Sequence, residues 1–71
     1  MISFELLTSF ACAARHRSFA RAARELGTSP SAVAKNVARL ESQLKLRLFH
    51  RTTRRVALTP DGELLRSLIH I

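Results

Sequence analysis

The stretch Ser18-Phe19-Ala20-Arg21-Ala22-Ala23-Arg24-Glu25-Leu26-Gly27-Thr28-Ser29-Pro30-Ser31-Ala32-Val33 decides the fold. Ser18 is a helix N-cap residue, because its hydroxyl can accept from one of the free amides of a first turn. Phe19, Ala22, Ala23 and Leu26 then recur at three- and four-residue intervals, which predicts one inward face of a helix. Two of these are alanines, whose small side chains let another helix approach closely. Gly27 supplies the left-handed position that ends a helix. The chain restarts almost at once, with Ser29 as N-cap and Pro30 at the first helical position, where its missing amide costs nothing. Two helices joined by so short a turn form a helix-turn-helix.

Downstream, the helix opened by Pro30 is predicted to run to about Leu44. Val33, Val37, Leu40 and Leu44 fall on one side of it. At roughly 100° per residue, Ser31, Lys35, Ala38, Arg39 and Ser42 fall on the other. Two short β-prone pieces, Phe49 to Arg51 and Val56 to Leu58, flank a polar tip at residues 52–55 and predict a hairpin, although the tip lacks glycine. Thr59-Pro60 is a second cap-plus-proline start, opening a last helix with Leu64, Leu65, Leu68 and Ile69 as its apolar stripe. Upstream, Ser3 caps a first helix, Glu5 complements its dipole, and Leu6, Leu7, Phe10 and Ala14 form its inward face. Phe4, Phe10, Phe19 and Phe49 all fall on or next to inward faces and are expected in the core. The expected fold is all-α with a small β wing: a winged helix-turn-helix over residues 1–58 and the start of a further helix over 59–71.

Charge points to the partner. The 71 residues carry 12 Lys and Arg against 5 Asp and Glu, a formal net charge of +7. Eleven of the basic residues lie between Arg15 and Arg55, opposed there by Glu25 and Glu41 alone. A basic middle between near-neutral ends suits a polyanion, and nucleic acid is the commonest one. Cys12 is the single cysteine, so no internal disulfide can form, which fits a reducing compartment. The apolar start resembles a secretory signal, but Glu5 precedes the apolar run and the arginines follow it, the reverse of a signal's order. The chain therefore reads as soluble and cytoplasmic, with no membrane role. Cys12 and His16 stand four apart on a helix, but two ligands make no structural zinc site, and neither a metal nor a cofactor is expected. Cys12 is read as a packing residue. With no nucleophile elbow, phosphate loop or paired carboxylates, no enzyme is expected.

These features combine into one device. The third helix can lie in the major groove if its outward residues are short, or long and basic. Ser31 and Ala38 are short, Lys35 and Arg39 can reach base edges or phosphates, and Asn36, on the flank, can pair with an adenine edge. Arg51, Arg54 and Arg55 would carry the hairpin tip to the backbone or into the adjacent minor groove, whose negative potential attracts arginine.

The run Ser18-Phe19-x-x-Ala22-Ala23-x-x-Leu26, then Ser31-Ala32-Val33, Leu40-Glu41-x-x-Leu44, Leu48-Phe49-x-Arg51-Thr52-Thr53-Arg54 and Leu58-Thr59-x-x-Gly62, resembles the amino-terminal domain of LysR-type transcriptional regulators over nearly the whole chain. The resemblance implies a winged helix-turn-helix followed by a linker helix that pairs two protomers, and DNA contacts near the start and middle of the third helix. Those places hold Pro30, Ser31, Ala34 and Lys35, and the family's wing arginine falls at Arg54. Two departures bear on the operator: Pro30 stands where the family often has glutamine, and Ala34 where it often has serine. Lys45 stands where the family usually has glycine, so either a mildly strained left-handed lysine ends the helix or the helix runs slightly further. The expected DNA-binding residues are therefore Ser29, Pro30, Ser31, Ala34, Lys35, Asn36 and Arg39 on the third helix, with Arg51, Thr52, Arg54 and Arg55 on the hairpin. The expected dimerisation residues are Leu64, Leu65, Leu68 and Ile69, and the expected partners are double-stranded DNA and a second copy of the chain. Family members continue into an effector-binding domain. This chain stops within the expected linker helix, so no effector site is expected in it. A module that only pairs with other regulators through its last helix is the rival reading.

Overall fold

The computed structural model describes residues 3–50 and 56–69. Four helices follow in order: α1 (Phe4–His16), α2 (Phe19–Leu26), α3 (Pro30–Leu44) and α4 (Pro60–Leu68). Each begins at the cap residue expected of it. Ser3 Oγ accepts from the Leu6 amide at 3.2 Å, Ser18 Oγ from Arg21 at 3.1 Å, Ser29 Oγ from Ala32 at 3.1 Å and Thr59 Oγ1 from Gly62 at 3.0 Å. Each bond satisfies an amide that the helix itself cannot, worth about 1 kcal/mol apiece.

Two of the helix ends use one device. Gly27 is left-handed (φ 69°), and the Thr28 amide reaches back to the Ala23 carbonyl at 2.9 Å. Lys45 is also left-handed (φ 56°), and the Leu46 amide reaches back to Glu41 at 3.1 Å, which decides between the two endings open at that position. A side chain in this conformation costs roughly 1 kcal/mol, and Lys45 bears it. Arg17, which ends α1, is left-handed too (φ 52°), a feature with no marker in the sequence.

Helices α1, α2 and α3 pack against one another around Phe10, Val33, Val37, Leu40 and Leu48, all fully buried. Ala22 and Ala23 are buried where α2 meets this core, the close approach that their size permits. The Phe49 ring packs against Phe10 at 5.5 Å between centroids and edge-on against Phe19 at 5.8 Å. Phe4 departs from its expected place in the core: it is 72% exposed. It stands at the first position of α1 and lines an open surface cleft with Leu26, Ala32 and Asn36 rather than filling the core.

After α3 the chain folds back as an extended connection. Among the described residues it forms a single antiparallel bridge, Phe49 with Leu58, with the His50 amide donating to Ala57 at 2.8 Å. This one bridge does not establish the expected hairpin, and residues 51–55, which include its expected tip, lie outside the described residues. Thr59 fastens the return: its amide donates to the Leu48 carbonyl at 3.0 Å and its hydroxyl to the Arg47 carbonyl. Gly62 then lies so close to Leu48 that a Cβ there would sit 2.1 Å from the Leu48 carbonyl oxygen. Among the described residues, no helix is long and apolar enough to cross a membrane.

Candidate nucleic-acid interface

Helix α3 turns Val33, Val37 and Leu40 into the core, and the opposite side is open. Ser29, Pro30, Ser31, Lys35, Ala38, Arg39 and Ser42 are all exposed, and Ala34 is half-buried at the margin. The five residues expected to face outward, Ser31, Lys35, Ala38, Arg39 and Ser42, are thus exposed. Its electrostatics depend on a residue that the sequence left unplaced. Glu41, the one acidic residue of α3, is 7% exposed and turned inward. Its Oε2 accepts from the Leu48 amide at 2.8 Å and the Phe49 amide at 3.2 Å. The acid therefore holds the connection after α3, and the exposed face is left with cations and short side chains. A charged residue inside an otherwise apolar helical stripe was the available signal.

Asn36 is placed differently from a free reader of bases. It is half-buried, and its Nδ2 donates to Ser9 Oγ at 3.0 Å, where Ser9 is itself buried on α1. A contact from this amide nitrogen to an adenine edge would give up a tie between α1 and α3. Arg51, Thr52, Arg54 and Arg55 lie outside the described residues, as does His70. The last helix divides its apolar residues. Leu65 and Ile69 pack against the core, whereas Leu64 and Leu68 are 61% and 69% exposed.

A second polar cluster joins α1 to α2. The Cys12 thiol donates to Glu25 Oε2 at 2.7 Å, His16 Nε2 lies 3.0 Å from Glu25 Oε1, and Arg15 pairs with Glu25 Oε2 while also donating to Cys12 Sγ at 3.6 Å. The hydrogen bond from Cys12 is the main cause that lowers the Glu25 carboxyl from 4.5 to about 2. The hydrogen bond with His16 comes next, followed by the nearby charges of Arg15 and His16. Burial raises the Cys12 thiol, and the Glu25 carboxylate raises it further. Cys12 does pack in the core, as expected, but it is also a member of this cluster.

The model of the family described as bacterial regulatory helix-turn-helix protein, lysR family, matches residues 4–63. The HTH-type transcriptional regulator PerR of Escherichia coli K12 is 48% identical over 60 residues, 84% of this chain and 20% of PerR. The chain thus spans about a fifth of the length of that relative. Among solved structures, a Corynebacterium glutamicum OxyR C206 mutant superposes with a TM-score of 0.91 at 31% identity, over 96% of this chain and 22% of its own. The BenM_DBD/benA site 1 DNA complex superposes with a TM-score of 0.88 at 26% identity, over 93% of this chain and 74% of its own.

Proposed function

The chain belongs to the lysR family of bacterial regulatory helix-turn-helix proteins, and from that membership we propose that this domain binds duplex DNA in transcription regulation, with α3 in the major groove. One observation carries the reading: the exposed face of α3 presents Lys35 and Arg39 among short side chains, while its single acid is buried beneath. The major groove is about 12 Å wide and admits a helix whose outward residues do not clash. Short residues at Ser31 and Ala38 permit that approach, and the two cations reach phosphate or base edges. Arg51, Arg54 and Arg55, at the tip of the proposed wing, add charge for the flanking backbone or minor groove. The likeness to a domain solved in complex with DNA supports the DNA-binding part of this reading.

Residues 59–71 are proposed as the start of a linker helix through which a second copy binds. The exposed pair Leu64 and Leu68 supports this, since residues four apart share one helical face. Two copies related by a two-fold axis would read two half-sites. Pairing without DNA binding remains the competing reading of the same two leucines.

Anisotropy titrations of a labelled duplex at two salt concentrations separate the two. Lys35→Ala is expected to weaken duplex binding by about 1 kcal/mol or more and to reduce the salt slope by about one. Arg54→Ala should act in the same direction. Failure to bind any duplex at low salt would overturn the DNA-binding reading. Sedimentation of Leu64→Ala and Leu68→Ala against the unaltered chain tests the pairing.

A further inference from the structure

We propose that Cys12, His16 and Glu25 form a binding site for a divalent transition-metal ion of the zinc class, which would clamp α1 to α2. Cys12 and His16 lie one turn apart on α1, so their side chains share a face. Glu25 comes from the last turn of α2, nine residues beyond His16 in sequence. The thiol sulfur, the imidazole nitrogen and a carboxylate oxygen all lie within 4.8 Å of one another. Around a tetrahedral ion, with bonds of about 2.0–2.3 Å, such donors stand roughly 3.2–3.7 Å apart. His16 Nε2 stands 3.0 Å from Glu25 Oε1, nearly at that spacing. Cys12 Sγ stands 2.7 Å from the other carboxylate oxygen, Oε2, so the carboxylate must turn and draw back by about an ångström to share one ion with both. The Glu25 side chain is exposed and can make that adjustment. A surface cleft of about 390 Å³ opens beside His16 and Glu25, and its other lining residues, Arg21 and Arg24, oppose a cation's approach from that side.

The donor set selects the ion. One sulfur, one imidazole and one carboxylate suit zinc or cobalt(II), while magnesium and calcium require oxygen ligands. As the sulfur–metal bond forms, Cys12 releases its proton to solvent. Neutral His16 gives its Nε2 lone pair, and Glu25 is already ionised. The two anionic ligands balance the ion's charge, no electrons are transferred, and the fourth position is left to water. The ion would take the place that the Arg15 guanidinium now holds beside Glu25 and Cys12, and the exposed arginine would swing outward. A purely structural cluster, in which Arg15 is the cation, is the competing reading.

Cobalt(II) titration of the full chain, with zinc as competitor, tests the site. The expected result is one cobalt per chain, a cobalt–thiolate charge-transfer band, and loss of that band on zinc addition. Cys12→Ser should abolish the band. His16→Ala and Glu25→Gln, at surface positions where folding is readily checked by circular dichroism, should each weaken binding about tenfold or more. Arg15→Gln should tighten it several-fold by removing the competing cation. The proposal is overturned if no thiolate band forms, if the band persists at unchanged affinity in both His16→Ala and Glu25→Gln, or if Arg15→Gln leaves the affinity unchanged. None of these readouts depends on DNA binding.

Discussion

Single side chains settle much of this molecule, and Glu41 is the clearest case. Its carboxylate accepts two buried backbone amides, Leu48 and Phe49. Glu41→Ala would leave both without that acceptor, at about 1–3 kcal/mol each, so a total loss of about 2–6 kcal/mol is expected in urea unfolding. Glu41→Gln keeps an acceptor and should lose less. Glu25 predicts a pH dependence. Its folded carboxyl is depressed to about 2 from 4.5, so its contribution is fully present above the ordinary value and is lost as pH falls toward the lower one. In metal-free buffer, the thermal midpoint of the unaltered chain should therefore converge on that of Glu25→Gln between about pH 5 and pH 2. A constant gap across that range would refute the assignment. The cap residues were legible in the sequence because a cap acts on amides two or three positions away. Glu41, the Ser9–Asn36 tie and the place of Glu25 beside Cys12 were not, because each partner comes from beyond its own helix or from the connection after it.

At the scale of elements, four helices and their starts could be read directly, since capping and periodicity are local signals. Left-handed Arg17 escaped that reading because no glycine marks it. The apolar stripe of α4 could be read but not divided. Periodicity shows that Leu64, Leu65, Leu68 and Ile69 cluster, whereas only the angle at which the helix docks sends Leu65 inward and Leu64 outward. That angle rests on Gly62, whose missing side chain lets α4 meet the Leu48 backbone. Gly62→Ala puts a methyl group into the Leu48 carbonyl and is expected to cost about 1–3 kcal/mol, read as a lower urea midpoint. A neutral result would mean that α4 can shift at little cost. The α3 face was legible in both its cations and its short residues. The proposed wing was legible only as a pair of β-prone pieces, between which the structure describes one bridge, Phe49 with Leu58.

For the whole molecule, net charge and its concentration between Arg15 and Arg55 were plain in the sequence and point to a polyanion. What composition did not show is how the charge is sorted: the one acid of α3 is drawn inward and Glu25 is engaged at the α1–α2 junction, so neither opposes the cations on the α3 face. Turns of two and three residues join α1 to α2 and α2 to α3, and these three helices share one core. The trio buries the shared core between its members, although Ser9 and Asn36, which tie α1 to α3, stand 27 residues apart, whereas α4 adds the partly buried Leu65 and Ile69 to its margin and rests on the Leu48 backbone. On burial rather than loop length, the expected order of assembly is that the helical trio forms in the transition state and α4 docks afterwards. In stopped-flow experiments Ala22→Gly should slow refolding, while Gly62→Ala should mainly hasten unfolding. A nascent chain would thus complete its helix-turn-helix before it acquires the surface proposed for pairing, and the two properties would mature at different times.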